Sequence, residues 1–186
     1  MQHLTPDSVT DGTIVLVPWR ASDADALVLR INDAAIGAYL DLVPQPYTTA
    51  DAHDWFAITA EGWRNGTSAT FGIHVDDIDG AVGGVGVRFL SELDAGSAEI
   101  GYWVAAEARR RGIATAATRL AARWSFDAAP DLARLQLRAD VENAASNRVA
   151  EKAGFTREGV VRGSAFQGGR WHDGVVYSIL RAEVEL

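Results

Sequence analysis

The sequence predicts a mixed α/β fold, one sheet with helices packed around it. Three observations carry this. Short strand-like apolar runs recur along the chain; helix signals such as caps, an apolar stripe and glycine stops interrupt them; and the order reads strand, two helices, three strands, helix, strand, helix, hairpin. The 186 residues fit one domain, with enough mass for a real core. Apolar residues make up 48% and charged residues 23%, the ordinary globular mix, so disorder is not expected.

The elements follow in chain order. Ile14–Trp19 (IVLVPW) reads as a strand after the Thr10-Asp11-Gly12 turn. Ser22 is placed to cap a helix, with Asp23 and Asp25 in its first turn and Ala26 to Ile31 continuing it. Pro44-Gln45-Pro46 breaks the chain. Thr49-Ala50-Asp51 opens a second helix through Trp55, Ile58 and Trp63, and Asn65-Gly66 closes it. Thr70–Val75, a turn at Asp79-Gly80, Ala81–Leu90, a loop to Gly96 and Ala98–Val104 form an antiparallel meander. Arg110–Phe126 is a helix whose Ile113, Ala117, Leu120 and Trp124 make one stripe. Arg134–Ala139 alternates as a strand. Ala145–Ala153 is a short helix stopped by Gly154, with Phe155 folding back on Val149 or Ala150. Val160–Gln167 and Arg170–Leu180 pair about Gly168-Gly169.

Composition excludes several classes of function. With no cysteine there is no disulfide, thiolate metal site or cysteine acyl-enzyme. The four histidines (3, 53, 74 and 172) show no metal spacing, so no metal is expected. The N-terminal MQHLTPDSVTDG lacks a basic stretch followed by an apolar run, so no leader is expected. No stretch approaches the roughly 18 apolar residues of a membrane span, and a cytoplasmic location is the expectation. A net charge of -8 disfavours nucleic acid and favours cationic partners such as amines.

One segment runs against that charge. From Glu107 to Arg123 there are five arginines and one glutamate, either a solvated helix face or a polyanion site. In Ala98–Leu120 (AEIGYWVAAEARRRGIATAATRL) a strand passes through Arg109, Arg110, Arg111, Gly112, Ile113, Ala114 and Thr115 into a helix. Free N–H groups at a helix start bind anions. Gly112 and Ala114 let a phosphate approach the main chain, and the arginines add charge-assisted contacts. Gly83-Gly84-Val85-Gly86 does not complete a phosphate loop and reads as strand glycines in a crowded sheet.

Arg109-x-x-Gly112-x-Ala114 resembles the Q/R-x-x-G-x-G/A motif of the GCN5-related N-acetyltransferase (GNAT) superfamily. The strand AEIGYWV before it and Asn143-x-x-Ser146-Asn147 leading to Glu151-Lys152-Ala153-Gly154-Phe155 after it are similar to the branch that acetylates ribosomal-protein N-termini, as is the opening VLVPWRASDADAL. The resemblance implies a mixed central sheet with flanking helices and a V-shaped splay between the fourth and fifth strands, here 98–104 and 134–139. Acetyl-CoA is the implied cosubstrate. Its pantetheine would lie in the splay on the main chain of Trp103 and Val104, its pyrophosphate on the N–H groups of residues 109–115, with Asn143 and Asn147 bonding the pantetheine. Helix capping is the competing role for both asparagines.

The implied reaction is direct transfer to a primary amine in a ternary complex. Glu99 matches the proton-accepting glutamate of histone-acetylating relatives, and Ser146 matches a serine proposed to protonate the leaving thiolate; strand-edge pairing and helix capping are the competing roles. The ribosomal branch places its glutamate in the loop corresponding to Gly163–Phe166, where this chain has Ala165. His172 and Asp173 read as turn residues of the last hairpin, a place where related enzymes put acceptor-side groups. Tyr47, Trp55 and Trp63 fall in the region that walls the acceptor site, or pack the core. The acceptor is an α-amine of a protein N-terminus or a small-molecule amine, and a non-catalytic CoA-binding sensor is the remaining alternative. The chain is expected to act as a monomer or homodimer, without nucleic acid or membrane.

Overall fold

The computed structural model describes residues 4–40, 43–90 and 96–184. Part of the loop expected before Gly96 and the first three residues of the N-terminal stretch lie outside them. The elements are β1 (Val9–Thr10), β2 (Val15–Pro18), α1 (Ala24–Ile31), α2 (Ala34–Gly37), α3 (Thr49–Asn65), β3 (Ser68–Val75), β4 (Ile78–Phe89), β5 (Ser97–Val104), α4 (Ile113–Ala128), β6 (Arg134–Asp140), α5 (Ala144–Lys152), β7 (Thr156–Gln167) and β8 (Arg170–Leu180). They form an eight-stranded sheet in the order β1-β2-β3-β4-β5-β6-β8-β7, with β5 and β6 its parallel pair.

Local chemistry sets the helix ends. Thr48 and Asp51 form a reciprocal capping box at the start of α3, and Gly66, at φ 66°, ends it in the left-handed conformation. At the end of α5 the N–H of Phe155 reaches the Ala150 carbonyl across Gly154. Ser22 does not cap α1. It lies inside a 3-10 turn, where Asp23 accepts the Arg20 N–H at 2.8 Å.

Two other expectations shift. The turn between β3 and β4 falls at Asp76-Asp77 rather than Asp79-Gly80, because pairing runs out to Val75↔Ile78. Gly80 keeps a positive φ of 72° inside the strand, where a Cβ would come within 2.9 Å of the Ala26 Cβ. The short helix α2 and the two-residue β1 were not expected.

Register divides the sheet into two faces. Phe71, Val85, Ile100, Tyr102, Leu137 and Tyr177 point to the face covered by α4 and α5 and form the main core. Trp103 points the other way and packs against a second cluster from α1, α2 and α3. Crowding on both faces explains two glycines of β4: a Cβ on Gly84 would sit 2.7 Å from the Trp103 indole nitrogen, and one on Gly83, on the main-core face, 2.4 Å from the Trp103 carbonyl.

The parallel pair holds together only from Ser97↔Arg134 to Ile100↔Leu137. Beyond it, Gly101–Val104 and Arg138–Asp140 diverge and leave their facing edges unpaired. This is the expected splay; the extra strand β1 makes these the fifth and sixth strands.

Candidate active site

The splay opens into a cleft of about 1140 Å³, lined by β5, the start of α4, the end of β6, α5 and the last hairpin. The donor wall comes first. After β5 the chain turns through Arg110, at φ 63°, and Gly112, at φ 82°, and α4 begins. No side chain caps α4, and the first N–H returned to the chain is that of Ala116, bonded to the Gly112 carbonyl. The N–H groups of Ile113, Ala114 and Thr115 are therefore available to an anion, reinforced by the helix dipole. A Cβ at Gly112 would meet nothing within 4 Å, so the space over this turn is open.

The three arginines part company. Arg109 donates to the Val104 carbonyl at 3.1 Å and pairs with Asp33 at 2.5 Å. The Ala35 N–H and this guanidinium hold the Asp33 carboxyl below its usual range. Arg111 turns away from the cleft to Asp77 at 2.8 Å and lowers the pKa of that carboxyl. Of the three, only Arg110 lines the cleft without an ion-pair partner among the described residues. The positive island is thus smaller than its sequence suggests, because Asp33 and Asp77, distant in sequence, neutralise two of its charges. Trp103, Val104, Gly112, Ile113, Ala114 and Thr115 all line the cleft.

The two asparagines also separate. Asn143 lines the cleft and caps α5, its Oδ1 accepting the Ser146 N–H at 3.0 Å. Its amide NH₂ has no partner among the described residues and can serve a ligand. Asn147 departs from the expected role: both amide protons go to the carbonyls of Asp140 and Asn143, at 2.9 and 2.8 Å, and its oxygen accepts from Tyr177. It anchors α5 to β6 and β8 and has no donor left for pantetheine.

Ser146 brings with it a residue the sequence reading missed. The Tyr102 hydroxyl donates to Ser146 Oγ at 3.0 Å, which leaves the serine proton directed elsewhere. Burial pushes the Tyr102 pKa up, so the phenol stays protonated. Parity could have flagged it, since Tyr102 shares a face with Ile100 and Ala98, and a buried tyrosine hydroxyl needs a partner.

Glu99, Gln136, Arg138, Asp140 and His172 share the opposite face of the sheet by register. Glu99 lines the cleft; its Oε2 accepts from Arg88 at 3.2 Å and Gln136 at 3.5 Å, and its Oε1 has no partner among the described residues. His172 is in β8 rather than in the turn, and its Nδ1 lies 2.6 Å from Asp140 Oδ2. Asp173 accepts the Gly163 N–H. Tyr47 and Trp63 are buried in the cores, and Trp55 packs on Trp19 and Phe56; none lines the cleft.

Residues 13–156 match the model of the acetyltransferase (GNAT) domain. The chain belongs to the GNAT acetyltransferase family. It is an N-acetyltransferase, and acetyl-CoA is its cosubstrate. Among relatives, YdaF of Bacillus subtilis, named as a candidate ribosomal N-acetyltransferase, is 32% identical over 93% of both chains. Among solved structures, RimJ of Mycobacterium smegmatis in complex with CoA-disulfide superposes with a TM-score of 0.86 at 26% identity, covering 97% of this chain and 90% of that one. The microcin C7 self-immunity acetyltransferase MccE, in complex with acetyl-CoA and AMP, gives a TM-score of 0.80 at 25% identity, covering 96% and 98%. The GNAT cosubstrate fits what the cleft offers: an unpaired β5 edge, an open turn at Gly112 and free N–H groups at α4. No helix of the described residues is long and apolar enough to cross a membrane.

Proposed function

We propose that this chain, acting as one catalytic domain, acetylates an α-amine, the N-terminus of a ribosomal-type protein. The observation that carries this is the open polar face of β5, β6 and β8, where Glu99 presents a carboxylate to the cleft. A cationic α-amine suits that charge, and the overall acidity of the chain steers cations toward it. An α-amine also loses its proton about 2.5 pKa units more readily than a lysine, worth about 3.5 kcal/mol at neutral pH. The name of the YdaF relative, a candidate ribosomal N-acetyltransferase, supports the ribosomal part of this reading.

In this reading the pantetheine adds to the Gly101–Val104 edge as a further strand would, with the Asn143 amide beside it. The pyrophosphate sits on the N–H groups of Ile113, Ala114 and Thr115, next to Arg110. Ser146 gives its proton to the leaving sulfur and is resupplied by Tyr102. Glu99 draws in and orients the ammonium.

A small-molecule acceptor is the second reading, favoured by the likeness to MccE and by the half-exposed Tyr39 ring lining the cleft. A matched panel of N-terminal peptides, aminoacyl nucleotides, polyamines and lysine peptides, followed by CoA release, separates the two. The expected result is the highest kcat/KM for a peptide α-amine. A lysine side chain or polyamine at the top of the panel would overturn the proposal.

A further inference from the structure

We propose that His172, held by Asp140, is the base that takes the proton from the acceptor amine. This rests on the acetyltransfer reading above and names a residue for it. His172 lies on the polar face of the sheet and lines the cleft. Its side chain is 13% exposed and that of Asp140 7%. Asp140 Oδ1 accepts the Glu142 N–H at 2.6 Å, which fixes the carboxylate plane. Asp140 Oδ2, buried, accepts no well-aligned hydrogen bond among the described residues; the imidazole Nδ1, 2.6 Å away as an ion-pair contact, is a donor close enough to satisfy it. A carboxylate this close to Nδ1 favours the tautomer with the proton on that nitrogen, which leaves the Nε2 lone pair free to take a proton. No hydrogen bond to Nε2 occurs among the described residues. Glu99 is less suited to the task, because Arg88 and Gln136 already share one of its oxygens.

The charged surroundings of the imidazole are few. Asp140 and Arg138 come from β6; Glu142 follows β6 and is ion-paired with Arg170 of β8; Asp173 is turned to the Gly163 N–H. Across β7 the paired residue is Ala165, which carries no charge. The ligand atoms of Asp140, Glu142 and His172 lie within 4.8 Å of one another, close enough that a metal centre is the rival reading. Against it, Glu142 is taken up by Arg170.

The step balances. The ammonium gives one proton to His172 Nε2, and its nitrogen then forms the C–N bond while the C–S bond breaks. The second proton lost by nitrogen matches the one gained by the CoA thiolate. His172 passes the first proton to water.

Two measurements on the full chain test this. Imidazole nitrogen NMR reads the tautomer without turnover: the neutral ring should carry its proton on Nδ1, and Asp140→Asn should lose that preference. A neutral ring protonated on Nε2 in the parent would overturn the proposal. Kinetics at saturating acetyl-CoA with a peptide amine form the second test. His172→Gln should lower kcat/KM by about 10²–10⁴ and remove the acid limb of the pH profile, with acetyl-CoA affinity unchanged. Asp140→Asn should lose less, because the imidazole remains and only its tautomer is no longer favoured. Glu99→Gln should raise the acceptor KM and keep the limb. If His172→Gln fails to fold, the parent's tautomer and the lowered kcat/KM of Asp140→Asn decide. A His172→Gln enzyme with the parent rate and limb sinks the base and leaves acetyltransfer standing. A parent that acetylates no amine sinks both. Turnover that requires added Zn²⁺ makes the cluster a metal centre and overturns the proposal.

Discussion

The two walls of the splay are built from different materials. On the β5 side the groups that face the donor are mainly main-chain: an unpaired strand edge, a left-handed glycine and the free N–H groups of α4, with Arg110 beside them. On the β6–β8 side they are side chains, Asp140, His172, Ser164 and Glu142 among them. A backbone wall reads any molecule with the right polar skeleton and is fixed by a few small residues. A side-chain wall can be rewritten one residue at a time, and this is where enzymes sharing a donor would come to differ in acceptor.

The comparison breaks first at Gly112. If the donor wall is backbone, Gly112→Val should weaken acetyl-CoA binding about 100-fold, since it obstructs contacts that charge-assisted hydrogen bonds make strong. It should also cost about 1–2 kcal/mol of stability, because a β-branched residue is strained at φ 82°. Calorimetry and thermal melts measure both, and unchanged affinity would mean the phosphates sit elsewhere.

A smaller effect sharpens the division between the faces. Tyr102→Phe and Ser146→Ala should each lower kcat about tenfold and leave both substrate affinities near the parent, because a thiolate can leave without full protonation. The double variant should lose little more than either alone if the two hydroxyls act as one relay. Full additivity in single-turnover rates would break the relay.

How much of this was legible follows from the same contrast. The donor wall could be read because a phosphate turn demands small residues at fixed offsets before a helix, and Gly112 and Ala114 stand there. The order of elements along the chain, apart from β1 and α2, and the Gly168-Gly169 turn, both glycines at positive φ, were legible for similar local reasons. Arg109, Arg111 and Asn147 were not. Their types fit a ligand role, but Asp33, Asp77 and the Asp140 carbonyl compete for the same protons, and only the fold brings those partners near. His172 looked like a turn residue because its partner Asp140 lies 32 positions away on another strand. Helix α2 has four residues and no periodicity to read; Asp33 at its cap is its one local signal.

The smallest expected effect lies away from the cleft. Glu158 of β7 receives both Arg134 guanidinium nitrogens, at 2.5 and 2.6 Å, and the Ser178 hydroxyl, which bring its pKa down to about 2. A depressed carboxyl contributes stability above its ordinary pKa and loses it as pH falls from about 4.5 towards 2. The pair is 27% and 40% exposed, so solvent screening limits the contribution to about 1 kcal/mol. Glu158→Gln should flatten the acid limb of a stability profile by that amount and leave turnover unaltered. A change in kcat/KM would mean that the hairpin anchorage reaches the acceptor wall.

The hairpin carries one more property. Trp171 is 66% exposed, its ring edge-on to Phe166, and it immediately precedes His172. The other five tryptophans are buried or half-buried. Under ultraviolet excitation the molecule therefore holds two populations of emitters: five shielded indoles at the blue end, and one wet indole at the red end that a dissolved quencher can reach. The acceptor side of the enzyme thus has a native optical label, one residue from the imidazole, and the loss of quenching as an amine substrate settles against the hairpin can be followed without attaching a dye.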